Sequence, residues 1–298
     1  MWDCLAELQG VDSSRKKEVV MITTIILALL LGFILIIGAA YLSFNGRINR
    51  EISSLLGAAD ADATRVVVTE EMLGNLPPPV QTYMAYSGVV GKAIPRTIRL
   101  KQTGRIRQDA KSAWMTLEAE EYYSTNPPGF IWKAFLPGRR FPLTLGRDAY
   151  LNGRGSMLIK MLSLIPLAKT AGPEIDQGAM MRYLNEMTWF PAAFLGANIT
   201  WKAIDDSSAE VTLTDKGRSV SATMYFGPDG KPLNFVAKRY RMVGKKYELE
   251  TWSTPFSGFG EFEGLRLPVR GQGVWNLKEG ELVYVDIEIT ELAYDKAR

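Results

Sequence analysis

Three kinds of hydrophobic patterning succeed one another along the chain. From Val19 to Gly46 there is no charged residue, and Ile25 to Leu42 is almost wholly aliphatic, without a polar face. About 20 such residues at ~1.5 Å each cover the ~30 Å hydrocarbon layer of a bilayer. The pattern therefore predicts a membrane-spanning helix, with Tyr41 and Phe44 placed for an interfacial aromatic belt. Next, Ile48, Ile52, Leu55 and Leu56 recur at helical spacing before the small-residue stretch Gly57 to Ala63, predicting a juxtamembrane helix and linker that lifts the following domain off the bilayer. Glu70 to Leu76 reads as a helical turn ended by Pro77-Pro78-Pro79, and Val80 to Ser87 as a short helix.

From Ile94 the period falls to two. Ile98 and Leu100 alternate with Arg99 and Lys101, and Met115, Leu117 and Ala119 with Thr116, Glu118 and Glu120, while Phe130 to Leu136 suits a buried strand. Two central segments read as helices instead. Ser156 to Leu167 carries a dense apolar stripe, and Asp176 to Thr188 places Met180, Tyr183, Leu184 and Met187 on one face, with Arg182, Glu186 and Trp189 opposite. Strands then resume around Val211, from Val220 to Phe226, from Leu233 to Met242 and from Tyr247 to Ser253, with Pro228-Asp229-Gly230 as a turn. A final hairpin around Glu279-Gly280 joins Gly271 to Leu277 with Leu282 to Leu292, in which Val283, Val285, Ile287 and Ile289 face one way.

Successive strands with short turns predict an antiparallel meander, half-barrel-like, curved over two central helices. The fold class is α+β behind an N-terminal transmembrane helix. The chain divides into an N-terminal cytoplasmic segment (1–18), the transmembrane helix (19–44), a juxtamembrane helix and linker (45–75) and an extracytoplasmic α+β domain (76–298).

Composition narrows the chemistry. The 298 residues are 47% hydrophobic and 22% charged, an ordinary globular balance, and the net charge of +3 offers no electrostatic footprint for nucleic acid. With no histidine, Ser-His-Asp and Cys-His catalysis and His-containing zinc sites are excluded. The only cysteine, Cys4, precedes the apolar run, so the domain beyond it holds neither a disulfide nor a thiol nucleophile. No cofactor or metal is expected. Arg15, Lys16 and Lys17 before the helix against Arg47 and Arg50 after it favour a cytoplasmic N-terminus and put the bulk of the chain outside. Gly38-Ala39-Ala40 also offers small residues at a candidate signal-cleavage point, but the apolar run exceeds a signal core of about 7–15 residues, which favours an uncleaved anchor. Met21 is an alternative start, which would remove the leading cations.

Carboxylates are the available acid–base groups. Glu118 and Glu120 share a strand face near Trp114, Tyr122 and Tyr123, as a glycan groove would need, although a solvated strand face is the preferred explanation, and Glu248, Glu250 and Trp252 form a second such stripe read the same way. Arg147-Asp148, followed by Tyr150, Gly153 and Gly155, suggests a specific turn but no phosphate loop, and Asp205-Asp206-Ser207-Ser208 reads as a hairpin turn, not a calcium loop. The abundance of Met and Leu in the central segments points elsewhere, because flexible thioethers adapt to irregular apolar ligands as well as filling cores. The candidate ligand-binding set is Met157, Met161, Met180, Leu184 and Met187, with Arg182, Glu186 and Trp189 at the mouth for a polar head group.

Several stretches resemble a bacterial family of membrane-anchored proteins of unknown function. They are Pro77-Pro-Pro-Val-Gln-Thr-Tyr83, Tyr86-Ser-Gly-Val-Val-Gly91, Arg147-Asp-Ala-Tyr150, Gly172-Pro-Glu-Ile-Asp-Gln-Gly178, Arg182-Tyr-Leu-Asn-Glu186 with Trp189-Phe-Pro191, and Trp201-Lys-Ala-Ile-Asp-Asp206. The resemblance covers Leu76 to the C-terminus and brings no site residues. Its layout is similar to the half-barrel carriers of lipoproteins and lipids in bacterial envelopes, a likeness of fold. The expected function is non-catalytic binding of a lipid or other hydrophobic ligand beside the membrane, in a cavity between sheet and central helices. An envelope-glycan hydrolase with paired carboxylates and a protein-interaction scaffold are the alternatives.

Overall fold

A computed structural model describes residues 2–59, 65–136, 144–244 and 246–296. Residues 60–64 of the expected linker lie outside the described residues. The first helix, α1 (Trp2–Ala58), runs unbroken from the apolar segment into the domain. Its final turns present Phe44, Ile48, Ile52 and Leu55 along one stripe, and these bury against Tyr122, Ile131, Leu145 and Ala149 of the sheet. The juxtamembrane helix therefore clasps the domain and does not lift it away. Alternation explains this: Tyr122 and Ile131 lie on the outer face of strands whose inner face already belongs to the core, so that outer face needs a cover.

After α2 (Glu70–Leu73) and α3 (Pro78–Ser87) come β1 (Thr97–Ile106), β2 (Met115–Thr125), β3 (Pro128–Leu136), β4 (Thr144–Leu151), β5 (Arg154–Met161) and β6 (Ile165–Ala171). Then follow α4 (Pro173–Glu186), two 3₁₀ turns (Met187–Trp189 and Pro191–Leu195), and β7 (Ile199–Asp205), β8 (Ser208–Asp215), β9 (Arg218–Phe226), β10 (Pro232–Val243), β11 (Lys246–Phe262), β12 (Leu265–Leu277) and β13 (Gly280–Tyr294). All 13 form one antiparallel sheet in the order β6-β5-β4-β3-β2-β1-β13-β12-β11-β10-β9-β8-β7. Its concave side wraps α3, α4 and the 3₁₀ turns, and Gly155 lets α4 approach closely, since a Cβ there would stand 2.3 Å from the Ile175 carbonyl.

Two expectations need correction. Ser156 to Leu167 is not a helix but the β5–β6 hairpin, with Leu162 (φ 53°) and Ser163 (φ 59°) at its turn. Pro166 cannot donate within a helix but is tolerated on an edge strand, and β4 supplies a pairing partner that periodicity could not foresee. Of the two central segments expected to be helical only the second is, and α4 shares the concave side with α3. In β13, a bulge beside Val274 alters the register, so Tyr284 turns toward the core and stacks on Trp275.

Candidate functional site

Helix α4 carries Arg182 into the concave side, where its three nitrogens each meet a different carboxylate. Nε lies 2.7 Å from Glu186, Nη1 2.9 Å from Asp148 on β4, and Nη2 2.8 Å from Glu121 on β2. The guanidinium also stands over the rings of Phe130 and Trp132, at 4.9 and 5.0 Å. The network extends outward: Gln102 donates to Glu121, Trp132 donates to Gln102, and Tyr123 donates to Glu186. Burial pushes the Glu121 carboxyl well above the usual range, with repulsion from Glu186 and Asp148 outweighing part of the attraction of Arg182. Glu186 is raised for the same first reason, burial.

Arg182 and Glu186, expected at the mouth of a cavity, stand instead at the centre of a buried cluster. Trp189 is buried too, and its carbonyl accepts from Tyr294. From Gly178 onward the helix has no exposed residue because strands enclose it on both flanks: Asp148 and Glu121 on one side, and Arg239, which donates to the Gly178 carbonyl, on the other. Met180, Leu184 and Met187 sit in the main core, at most 2% exposed and packed among Tyr123, Phe130, Tyr183 and Phe190. Met180 also borders a shallow cleft with Pro173, Gln177 and Arg218. Glu121, Asp148 and Gln102 were missed, although Glu121 breaks the alternation of β2 and Asp148 stands within one of the quoted motifs.

The carboxylate pair is separated from this interior. Leu117, Ala119 and Glu121 point inward, so Glu118 and Glu120 point to the convex side, where Glu120 accepts from Tyr122 and pairs with Arg99. Of the second stripe, Trp252 is core while Glu248 is exposed. Arg147 and Asp148 lie within β4 and diverge to opposite faces, and the turn falls at Asn152-Gly153, both with positive φ. Among the described residues, no group of three or more acidic or cysteine side chains could hold a metal.

A large cleft lies on the outer face of the sheet, between the last turns of α1 and strands β4–β6. It encloses about 590 Å³. Phe44, Ile48, Leu158, Leu164 and Pro166 supply apolar walls; Met157 borders it, whereas Met161 does not. Four cations, Arg47, Arg147, Lys160 and Lys169, face one carboxylate, Glu51. Arg147 closes the floor by donating to Glu51 at 2.8 Å and to the Ser156 carbonyl at 3.2 Å, tying α1 to two strands. Lys160 stands 4.8 Å from the centre of the Phe44 ring, and Lys169 has no carboxylate partner among the described residues. The centre, where a cavity was expected, is packed with side chains around α4, and this cleft lies on the opposite face of the sheet, under α1.

Among the described residues, one helix is long and apolar enough to cross a membrane. No curated protein matches it. Among solved structures it is similar to a LolA superfamily protein from Nitrosomonas europaea, at 12% identity and TM-score 0.41 over 78% of this chain and 96% of that one. It is also similar to a DUF1329 family protein from Desulfovibrio piger, at 13% identity and TM-score 0.43 over 74% of this chain and 93% of that one. Residues 66–287, most of the domain beyond α1, match a family model, and the chain belongs to that family of unknown function (DUF6544).

Proposed function

We propose that this protein is a non-catalytic, single-pass membrane protein with its domain on the outer face, and that the groove between α1 and β4–β6 binds an anionic lipid or a similar amphiphile. The observation that carries this reading is the groove itself. Its volume of about 590 Å³ falls within the ~300–1,000 Å³ of small-molecule sites, and its walls are mostly apolar. An acyl chain would lie along Phe44, Leu158 and Leu164, with the anionic head met by Lys160, Lys169 and Arg47 at the rim. A ligand that partitions into bilayers reaches such a site by lateral diffusion, which suits a groove whose wall is the anchor helix.

Lipid mass spectrometry on the detergent-extracted full-length protein tests this, using Ala171→Trp to fill the groove. Annular lipid around α1 is common to both proteins, so the difference is the readout. The wild type is expected to retain an anionic lipid that the variant loses, and Lys160→Glu with Lys169→Glu to lose it too. Equal lipid inventories would refute the groove as a binding site. The outward orientation is tested by Ser257→Cys in a Cys4→Ser background: an impermeant maleimide should label intact cells, and labelling only after permeabilisation would reverse the topology.

A further inference from the structure

Helix α1 docks on the sheet as soon as its apolar run ends. Leu42 is 70% exposed and Phe44 is 5% exposed, two residues or ~3 Å of helix rise later. The helix is unbroken between them, so the domain has no slack with which to stand off a bilayer. At this level the β5–β6 turn meets the helix: Ser163 and Leu164 share a cleft with Ala40, Ser43 and Phe44. Ala40 precedes Gly46, the last residue of the uncharged run, by six residues, or about 9 Å of helix. The turn therefore lies alongside helix that the bilayer interface would cover.

The chemistry of the turn agrees. Leu164, Ile165 and Leu167 are 40%, 49% and 44% exposed. No charge occurs from Met161 to Ala168, while Lys160 and Lys169 flank the segment. Leu162 and Ser163 adopt the left-handed conformation of a turn that ordinarily takes Asn-Gly. A hairpin facing water has no use for bulky apolar residues there.

We propose that the β5–β6 hairpin tip inserts into the leaflet from which α1 emerges, with Leu164, Ile165 and Leu167 below the head groups and Lys160 and Lys169 among them. The domain is then held on the membrane at two points and cannot swivel about its anchor. This shares the single-pass reading of α1 but needs no ligand in the groove.

Full-length protein carrying Cys4→Ser and Ile165→Cys, labelled with an environment-sensitive nitrobenzoxadiazole dye, is reconstituted into phosphatidylcholine–phosphatidylglycerol vesicles. Ile204→Cys on β7, at a position 52% exposed, is the control. The dye at 165 should emit to the blue of the dye at 204 and be quenched by nitroxides high on the acyl chain, with Ala171→Trp leaving both unchanged. Identical emission and equal quenching by aqueous iodide at the two positions would overturn insertion. Leu167→Cys gives the same readout should labelling at 165 disturb the fold. Failure to float with the vesicles would overturn the anchor and this inference with it, whereas loss of co-purifying lipid alone would touch only the groove.

Discussion

Arg182 Nη2 stands 2.8 Å from Glu121 Oε1, and the Glu121 side chain is wholly shielded from solvent. With Asp148 and Glu186 on the same guanidinium, one residue of α4 ties the central helix to β2 and β4. Removing it leaves three carboxylates facing one another in a dry interior. Arg182→Met is therefore expected to cost about 3–5 kcal/mol, the usual loss when one partner of a buried pair is deleted. Arg182→Lys should recover only part, because an ammonium cannot reproduce the planar fork that meets three acceptors. Urea unfolding in detergent measures both, and a loss under about 1 kcal/mol for the methionine variant would contradict the keystone role.

Stability should depend on pH through the same cluster. Glu121 and Glu186 have folded pKa values raised above an unfolded value of about 4.3. Above that value the folded state holds more protons than the unfolded state, so their contribution is complete below about pH 4.3 and is lost as pH rises through the raised values. Asp176 behaves oppositely. Burial pushes it up, but hydrogen bonds from Arg218, the Gly155 N–H and Arg154 outweigh that and hold it low, so its contribution is lost as pH falls below about 3.9. The urea midpoint should fall as pH rises above the unfolded glutamate value, and Glu121→Gln should flatten the slope. A midpoint that rises with pH in the wild type and is unaltered in slope by the variant would disprove this.

Close approach of α4 to β5 depends on Gly155. A Cβ at that position would meet the Ile175 carbonyl oxygen at 2.3 Å and the Ala179 Cβ at 2.9 Å. Neither can yield without shifting the helix, and the displacement would strain the Asp176 contacts to Arg154 and Arg218. Gly155→Ala is expected to cost about 1–3 kcal/mol, as overpacking does. Thermal unfolding checks it, with no change in midpoint as the contrary outcome.

The clasp of α1 on the sheet rests on Ile48 and Ile52, each 1% exposed. Ile52→Ala should cost about 2–4 kcal/mol, including the cavity it opens. The loss should be local, since this cluster is separate from the main core. Hydrogen exchange over residues 45–58 should accelerate while α4 remains protected. Uniform acceleration through the domain would show instead that the two clusters unfold together.

How much was legible varies with the range of the interactions involved. Phe130 to Leu136 reads as a strand because both faces are apolar, and β3 does pack inward on the core and outward under α1. Met180 and Leu184 read as one helix face and are one, with Met187 following in the first 3₁₀ turn and buried beside them. The same stripe logic failed from Ser156 to Leu167, where dense apolar residues fit helix and buried strand equally and the arbitrating clue, Pro166, lay near the end of the run. Of the candidate ligand set, only Met157 borders the groove, and Arg182 with Glu186 joined a cluster whose other members lie at least 34 residues away.

The sequence by itself determined the apolar helix, the absence of histidine and of any cysteine beyond Cys4, and the strand-rich α+β character, because composition and short-period alternation are local properties. Only the tertiary structure decided which face of each strand meets water. The convex side of β2–β4 is covered by α1, the concave side is filled by α3 and α4, and the groove falls between α1 and the sheet. Burial of a charge such as Glu121, or exposure of an apolar turn such as Leu164-Ile165, depends on what packs against it across long stretches of chain. No periodicity in the residues records that partner.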